Sequence, residues 1–229
     1  MKQALILAAG RGARLDRPGT PKPLVQLGGI PIIVRTIEQL RKFGIADIHI
    51  VVGFEKRRLI RELTSHPWDD IELHFHENDA WEENMASSVL IARDQLEGEF
   101  LLVMGDHIFD DAIVEKLVSI SPAAGTVTAL VDAHIKGFPG LETALKATFN
   151  DDTITAVGWD LPDANAVDCG FFAAGPALFN AVERALLSKS NAALADGLIE
   201  LAKSGHLRCT TTGDADWDAG IELDIEGAA

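Results

Sequence analysis

Residues 4–23 read Ala-Leu-Ile-Leu-Ala-Ala-Gly-Arg-Gly-Ala-Arg-Leu-Asp-Arg-Pro-Gly-Thr-Pro-Lys-Pro. The apolar run ending at Leu7 predicts a buried strand. It opens directly into a loop carrying Gly10, Gly12 and Gly19 together with Arg11, Arg14, Arg17 and Lys22. Glycines let backbone N–H groups approach an anion closely, and long cationic side chains neutralise the charge it brings, so the stretch suits phosphate. Spacing excludes two other phosphate loops. No Gly-Lys-Ser/Thr follows four spacers, as a Walker A loop requires, and Leu15 stands where a dinucleotide fingerprint needs its third glycine.

The 229-residue chain sets 20 Lys and Arg against 35 Asp and Glu, a formal charge of −15. Nucleic-acid affinity rests largely on neutralising phosphates, so this balance argues against a nucleic-acid partner. Between Ala9 and Pro23, by contrast, four cations accompany one acid, Asp16. That local excess suits a small anionic ligand while the rest of the surface repels polyanions. No stretch approaches the ~20 apolar residues of a membrane span, and the N-terminus lacks a signal-peptide pattern. The expectation is a cytoplasmic protein without membrane insertion. Cys169 and Cys209 stand outside any Cys-x-x-Cys spacing and are read as reduced structural thiols.

Further along, Ile32 to Phe43 predicts an amphipathic helix, Asp47 to Gly53 a strand, Glu55 to Leu63 a helix, and Ile71 to His76 a strand. A helix over Asn84 to Leu96 and a buried strand over Phe100 to Met104 follow. This alternation implies an α/β fold with a doubly wound, mostly parallel sheet, whose ligands bind beyond the carboxyl ends of the strands. The second half is less regular. Strands are expected at Thr126–Val131, Ala144–Phe149, Thr153–Val157, Val167–Ala173 and Leu207–Thr212, with helices at Pro176–Leu187 and Ala192–Lys203. These imply a smaller antiparallel lid within one domain spanning 1–229, with residues 1–122 as the nucleotide-binding half and 123–229 as the acceptor-binding half.

Gly105-Asp106-His107 closes the strand Phe-Leu-Leu-Val-Met, and a carboxylate there can hold Mg²⁺ in the crevice that holds a triphosphate. Asp110 and Asp111 are read as caps of the next helix. His74 and His76 share a strand face, yet no cysteine or carboxylate accompanies them at ligand spacing, so they are read as surface histidines and not as zinc ligands. Trp81 and Trp159 could stack on a base or a ring, with packing the favoured role for each.

The opening loop resembles the Gly-x-Gly-x-Arg-Leu…Pro-Lys-Pro signature of the sugar-phosphate nucleotidyltransferases, here Gly10, Gly12, Arg14, Leu15, Pro21, Lys22 and Pro23. From Lys2 to about Thr212 the chain is similar, more narrowly, to the cytidylyltransferases that make CDP-inositol from CTP and inositol 1-phosphate. Asn84-Met-Ala-Ser-Ser-Val-Leu, Val103-Met-Gly-Asp-His-Ile-Phe, Glu142-Thr-Ala-Leu-Lys and Ala166-Val-Asp-Cys-Gly-Phe-Phe carry that likeness.

The resemblance implies a Rossmann-like, glycosyltransferase-A-like fold with Mg²⁺ as cofactor and small-molecule substrates, a nucleoside triphosphate and a phosphorylated alcohol. It also implies a stand-alone cytidylyltransferase domain, without the membrane-embedded domain fused to some relatives. Arg14 would hold the β and γ phosphates, Lys22 would stabilise charge at the α-phosphoryl, and Asp106 would hold the metal. Leu7, Ala8, Ala9, Gly10, Gly12 and Gly105 would line the nucleotide, with Asn84 and Ser88 reading the base. Glu142, Lys146 and Asp168 would face the acceptor. A second metal carboxylate is expected near the C-terminus, where Asp214-Ala-Asp-Trp-Asp-Ala-Gly departs from the family spacing. Asp218 is the nearest match and Asp216 the substitute, with a solvated acidic tail as the alternative. Another phosphorylated acceptor, or a nucleotide sensor without turnover, stays open at this point, as does the oligomeric state, a homodimer included.

Overall fold

The structure, a computed structural model, describes residues 1–11, 20–82 and 85–218. The chain runs β1 (Gln3–Ala8), the hairpin β2 (Gln26–Leu27) and β3 (Ile30–Pro31), α1 (Ile32–Lys42), β4 (Asp47–Val52), α2 (Lys56–Thr64) and β5 (Glu72–Glu77). It continues through α3 (Met85–Leu90), β6 (Phe100–Met104), β7 (Ile108–Phe109), α4 (Asp111–Val118), β8 (Val127–Asp132), β9 (Lys146–Asn150) and β10 (Thr153–Gly158). Last come β11 (Ala166–Ala174), α5 (Pro176–Ser188), α6 (Leu194–Lys203), β12 (Leu207–Thr211) and β13 (Trp217–Asp218).

Nine strands form one sheet in the order β5-β4-β1-β6-β11-β8-β12-β10-β9. β1 lies between β4 and β6, parallel to both, and buries Ala4 to Ala8 completely or nearly so. Because successive side chains point to opposite faces, Leu5 and Leu7 join a core beneath α3, α5 and α6, while Ala4, Ile6 and Ala8 join a second core beneath α1, α2 and α4. The doubly wound reading holds. The later strands expected to form the lid, β8 to β12, extend the same sheet, and β11 pairs antiparallel with both β6 and β8. The sheet is consequently mixed instead of mostly parallel. The β9–β10 and β10–β11 connections are too short for the crossover helix that a parallel pair needs, and Asp151 turns the first of them at φ 53°.

Three local expectations are corrected. The helix expected to reach Leu96 breaks after Leu90, and a 3-10 turn at Arg93–Gln95 tucks Leu96 into the core. Asp110 stands before α4 without capping it; its carboxylate accepts the Asp216 N–H at 3.0 Å, while Asp111 pairs with Lys42. The segment Gly213–Asp218 is no solvated tail: β13 pairs with β7, and Trp217 stacks on Phe138 with ring centroids 5.6 Å apart. Residues 219–229 lie outside the described residues. Cys169 and Cys209 are free and buried, as expected of structural thiols, and burial pushes both thiols up.

Phe172 is fully buried in the middle of the sheet. Phe172→Ala is expected to cost about 3–5 kcal/mol by transfer and cavity terms, measured by urea unfolding. Leu187→Ala, at a site 86% exposed, is expected to change stability by less than about 0.5 kcal/mol.

Candidate active site

The ends of β1, β4 and β6 are laced together. Phe54 N–H donates to the Ala9 carbonyl and Gly105 N–H to the Leu7 carbonyl, each at 2.9 Å. Ala8 and Ala9 are buried there beside Gly105, where an added Cβ would come within 3.0 Å of the Ala8 side chain. The chain returns from the loop through Pro21 and a 3-10 turn at Lys22–Leu24 that buries Lys22. The lysine Nζ lies 2.8 Å from Asp106 Oδ2. Two of the residues expected to act on phosphate, remote in sequence, thus share one ion pair at the strand ends.

Burial opposes the Asp106 charge, but His107 and Lys22 more than offset it and hold the carboxyl below its usual range. His107 is shifted down, chiefly by burial and against the pull of Asp106. Its Nδ1 lies 2.9 Å from the Cys169 carbonyl, which can only accept, so Nδ1 carries the proton and Nε2 is left toward Asp106, 3.8 Å away. The antiparallel β13–β7 pair sets Asp218 opposite Ile108, and the Asp218 charge is felt at His107. Asp216 is held instead by its backbone, which exchanges hydrogen bonds with Asp110.

Beside His107 opens a cavity of ≈ 220 Å³ lined by Met104, Leu145, Trp159, Asp168 and Leu198 among others. Trp217 and Phe138 separate it from a polar cleft of ≈ 450 Å³ that includes Asp132, Lys136 and Asp218. Trp217 is itself fixed by a hydrogen bond from Nε1 to Asp132 Oδ2 at 3.0 Å. Asp168 enters the first cavity because β11 bulges between Asp168 and Phe172, at a strand irregularity of the kind that re-aims a side chain. The bulge needs Gly170, at φ 68°: a Cβ there would stand 2.7 Å from His107 Cε1 and 2.8 Å from Met104 Cγ. Burial pushes the Asp168 carboxyl up to about 7 against a hydrogen bond from the Gly170 backbone, and its Oδ1 is buried without a partner.

The remaining expected residues are placed as follows. Gly10 is exposed beyond β1. Ser88 is buried on α3, its oxygen accepting Asn78 Nδ2 at 2.9 Å. Lys146 opens β9 and donates to the Trp159 carbonyl at 2.5 Å, and Glu142 is exposed in the turn before it. Gly12, Arg14 and Asn84 lie outside the described residues. Trp81 packs edge-on against Phe54, whereas Trp159, 54% exposed at the cavity rim, is not the packing residue expected. Sequence reasoning assigned no role to His107, Asp132 or Trp217; the adjacency of His107 to Asp106 was the one signal available.

Between an unfolded value of about 3.9 and about 7, the folded chain keeps a proton on Asp168 that the unfolded chain releases. This group's contribution to stability is therefore full at low pH and is lost as pH rises through that window. Asp168→Asn is expected to melt progressively higher, relative to the unaltered protein, on going from pH 5 to pH 8; a constant difference would show that the carboxyl is not held protonated. Gly170→Ala, which meets both the clash and the left-handed backbone, is expected to destabilise by about 1–3 kcal/mol, measured by urea unfolding.

No helix among the described residues is long and apolar enough to cross a membrane. Residues 4–167 match the MobA-like NTP transferase domain. The bifunctional IPC transferase and DIPP synthase of Aquifex aeolicus is 29% identical over 233 residues, which cover 100% of this chain and 51% of that protein. The Archaeoglobus fulgidus protein of the same name is 31% identical over 193 residues, covering 80% and 35%. The chain spans about half the length, or less, of these curated relatives. The solved inositol-1-phosphate CTP transferase from T. maritima shares the fold, with a TM-score of 0.81 at 22% identity over 95% of this chain and 88% of that one. The matched segment takes in the end of β1, Lys22 and Asp106, and the chain belongs to the MobA-like NTP transferase domain family, as a nucleotidyltransferase.

Proposed function

We propose that this chain is a Mg²⁺-dependent cytidylyltransferase that joins CTP to inositol 1-phosphate, giving CDP-inositol and pyrophosphate. The observation that carries the reading is the Lys22–Asp106 pair at the strand ends, next to a cavity whose lining includes Asp168 and His107. The two relatives named as IPC transferases support the choice of substrates. We assign the reaction to the cytoplasm, with two soluble anionic substrates.

A phosphomonoester has a second pKa of about 6 and is mostly dianionic at neutral pH, so its oxygen attacks the α-phosphorus without a general base. The demands on the protein are alignment and charge compensation as two polyanions meet and pyrophosphate departs in line. Lys22, held at the start of its 3-10 turn, meets the charge developing on the α-phosphoryl, and Arg14 holds the β and γ phosphates. The carboxylate oxygens of Asp106 and Asp218 are the hard donors that Mg²⁺ prefers. When bound, the ion would neutralise phosphate charge and polarise the α-phosphoryl. His107, donating from Nδ1 to the Cys169 carbonyl, is fixed beside Asp106.

On the acceptor side, a protonated Asp168 offers both a donor and an acceptor, matching a ring hydroxyl that needs both. Trp159 presents an apolar face at the rim to the C–H face of the ring. Lys146 and Glu142 flank that rim, the lysine for phosphate and the glutamate for hydroxyls.

The test is pyrophosphate release with Mg²⁺, crossing CTP, UTP, GTP and ATP against inositol 1-phosphate, phosphocholine, 2-aminoethylphosphonate and glucose 1-phosphate. Release is expected with CTP and inositol 1-phosphate, and Lys22→Ala and Asp106→Ala are each expected to lower it by about 10²–10³-fold. Turnover with a different acceptor would keep the mechanism and overturn the substrate. Binding of CTP with no turnover of any pair would make the chain a nucleotide sensor.

A further inference from the structure

At the opposite end of β4 from the phosphate chemistry, the parallel register sets Asp47 beside Glu72, His49 beside His74 and Val51 beside His76. Alternation along both strands puts Asp47, His49, His74 and His76 on one face. Read along the chain, His74 and His76 have no partners at ligand spacing; the neighbouring strand supplies them. They are not plain surface histidines either, for both are half-buried and stack on His49, with ring centroids 4.6 and 5.1 Å away.

Three donor atoms converge. His49 Nε2 lies 3.2 Å and His74 Nε2 3.0 Å from Asp47 Oδ1. All three fall within 4.8 Å of one another. Two ligands each about 2.05 Å from a tetrahedral zinc ion stand about 3.3 Å apart, close to the spacings found. These close contacts are poorly aligned as hydrogen bonds, so His49 Nε2 and Asp47 Oδ1 lack a well-formed one although both atoms are buried and the His49 side chain is only 4% exposed. Two buried polar atoms of this kind are costly unless something lies between them.

The outer contacts are those that orient metal ligands. His49 Nδ1 lies 2.9 Å from His76 Nε2, which fixes the ring and directs Nε2 toward Asp47. Asp47 Oδ2 accepts Gln3 Nε2 at 2.7 Å, which leaves Oδ1 as the inward oxygen. We propose that Asp47, His49 and His74 form a site for a divalent transition ion of the zinc type, with solvent in the fourth position. Two imidazole nitrogens and one carboxylate oxygen are a borderline donor set that prefers Zn²⁺ or Co²⁺ to Mg²⁺. The ion enters from the side of Asp47 and His74, which are about one-third exposed. It is separate from Asp106 and Asp218: Asp47 lies at the start of β4, five residues or about 17 Å before Val52. Its effect is to staple the edge strand β5, paired on one side alone, to the body of the sheet.

The test uses the chain stripped with a chelator and held in millimolar Mg²⁺, which keeps the all-oxygen carboxylates occupied. Titration with Co²⁺, read by its visible ligand-field bands, is expected to saturate at one ion per chain, and Zn²⁺ to displace it. Zn²⁺ is also expected to raise the melting temperature by several degrees. His74→Ala and Asp47→Asn, at the two accessible ligands, are each expected to weaken Co²⁺ binding at least tenfold and to abolish the zinc-induced rise. Absence of the bands up to 100 µM Co²⁺ would overturn the proposal, as would binding that persists unchanged in both variants.

Discussion

β1 is buried on both faces from Ala4 to Ala8, and that constraint decides where polar chemistry can stand in this molecule. A strand flanked by parallel neighbours and covered by helices above and below has no room along its length for charge without a partner. Lys22, Gly105 and Asp106 accordingly gather where β1 and β6 end. The same covering explains the depth of the crevice: its walls are the ends of strands whose remaining side chains are committed to two cores.

The Lys22–Asp106 pair is poorly explained as a device for stability. Removing two ions from water costs roughly several kcal/mol each, and apolar residues of similar size would pack at comparable stability. Its geometry fits the proposed function better. Under the proposed function, a cation and a carboxylate held beside each other at fixed positions would need little reorganisation on exchanging their mutual contact for a polyphosphate and its counter-ion. His107 shares in this arrangement. Its proton is committed to the Cys169 carbonyl, and Gly170 is the residue that lets the ring come so close to β11.

How much was legible in the sequence depends on the range of the interaction that makes each part. β1, β4, α1, β6 and β11 carry their burial in local apolar patterns, and their boundaries were readable to within a residue or two. Lys22 and Asp106 were readable because each sits next to a strand end that marks it. What was hidden arises between distant segments. The place of the later strands is hidden because local pattern shows that β8 to β12 are strands and says nothing about which edge they join. Residues 213–218 looked like an acidic tail because their anchors, the Asp110 carboxylate and the β7 edge, lie about a hundred residues away. Size favours packing for Trp159, while its exposure at the rim keeps the stacking role open.

Strand register is the common element in what remained hidden. A single pairing offset moves every side chain of a strand to the other face. Antiparallel pairing of β13 with β7 is what sets Asp218, and not Asp216, opposite Ile108 and near His107. Parallel pairing of β5 with β4 is what sets His74 against His49 and Asp47. Spacing rules for metal ligands count along one chain segment, so they capture a helix or a loop and miss a ladder whose second rail lies twenty-five residues on. In both places the sheet brings together polar groups that are unremarked singly: Asp218 toward His107 at the carboxyl end, and two imidazoles with one carboxylate at the other.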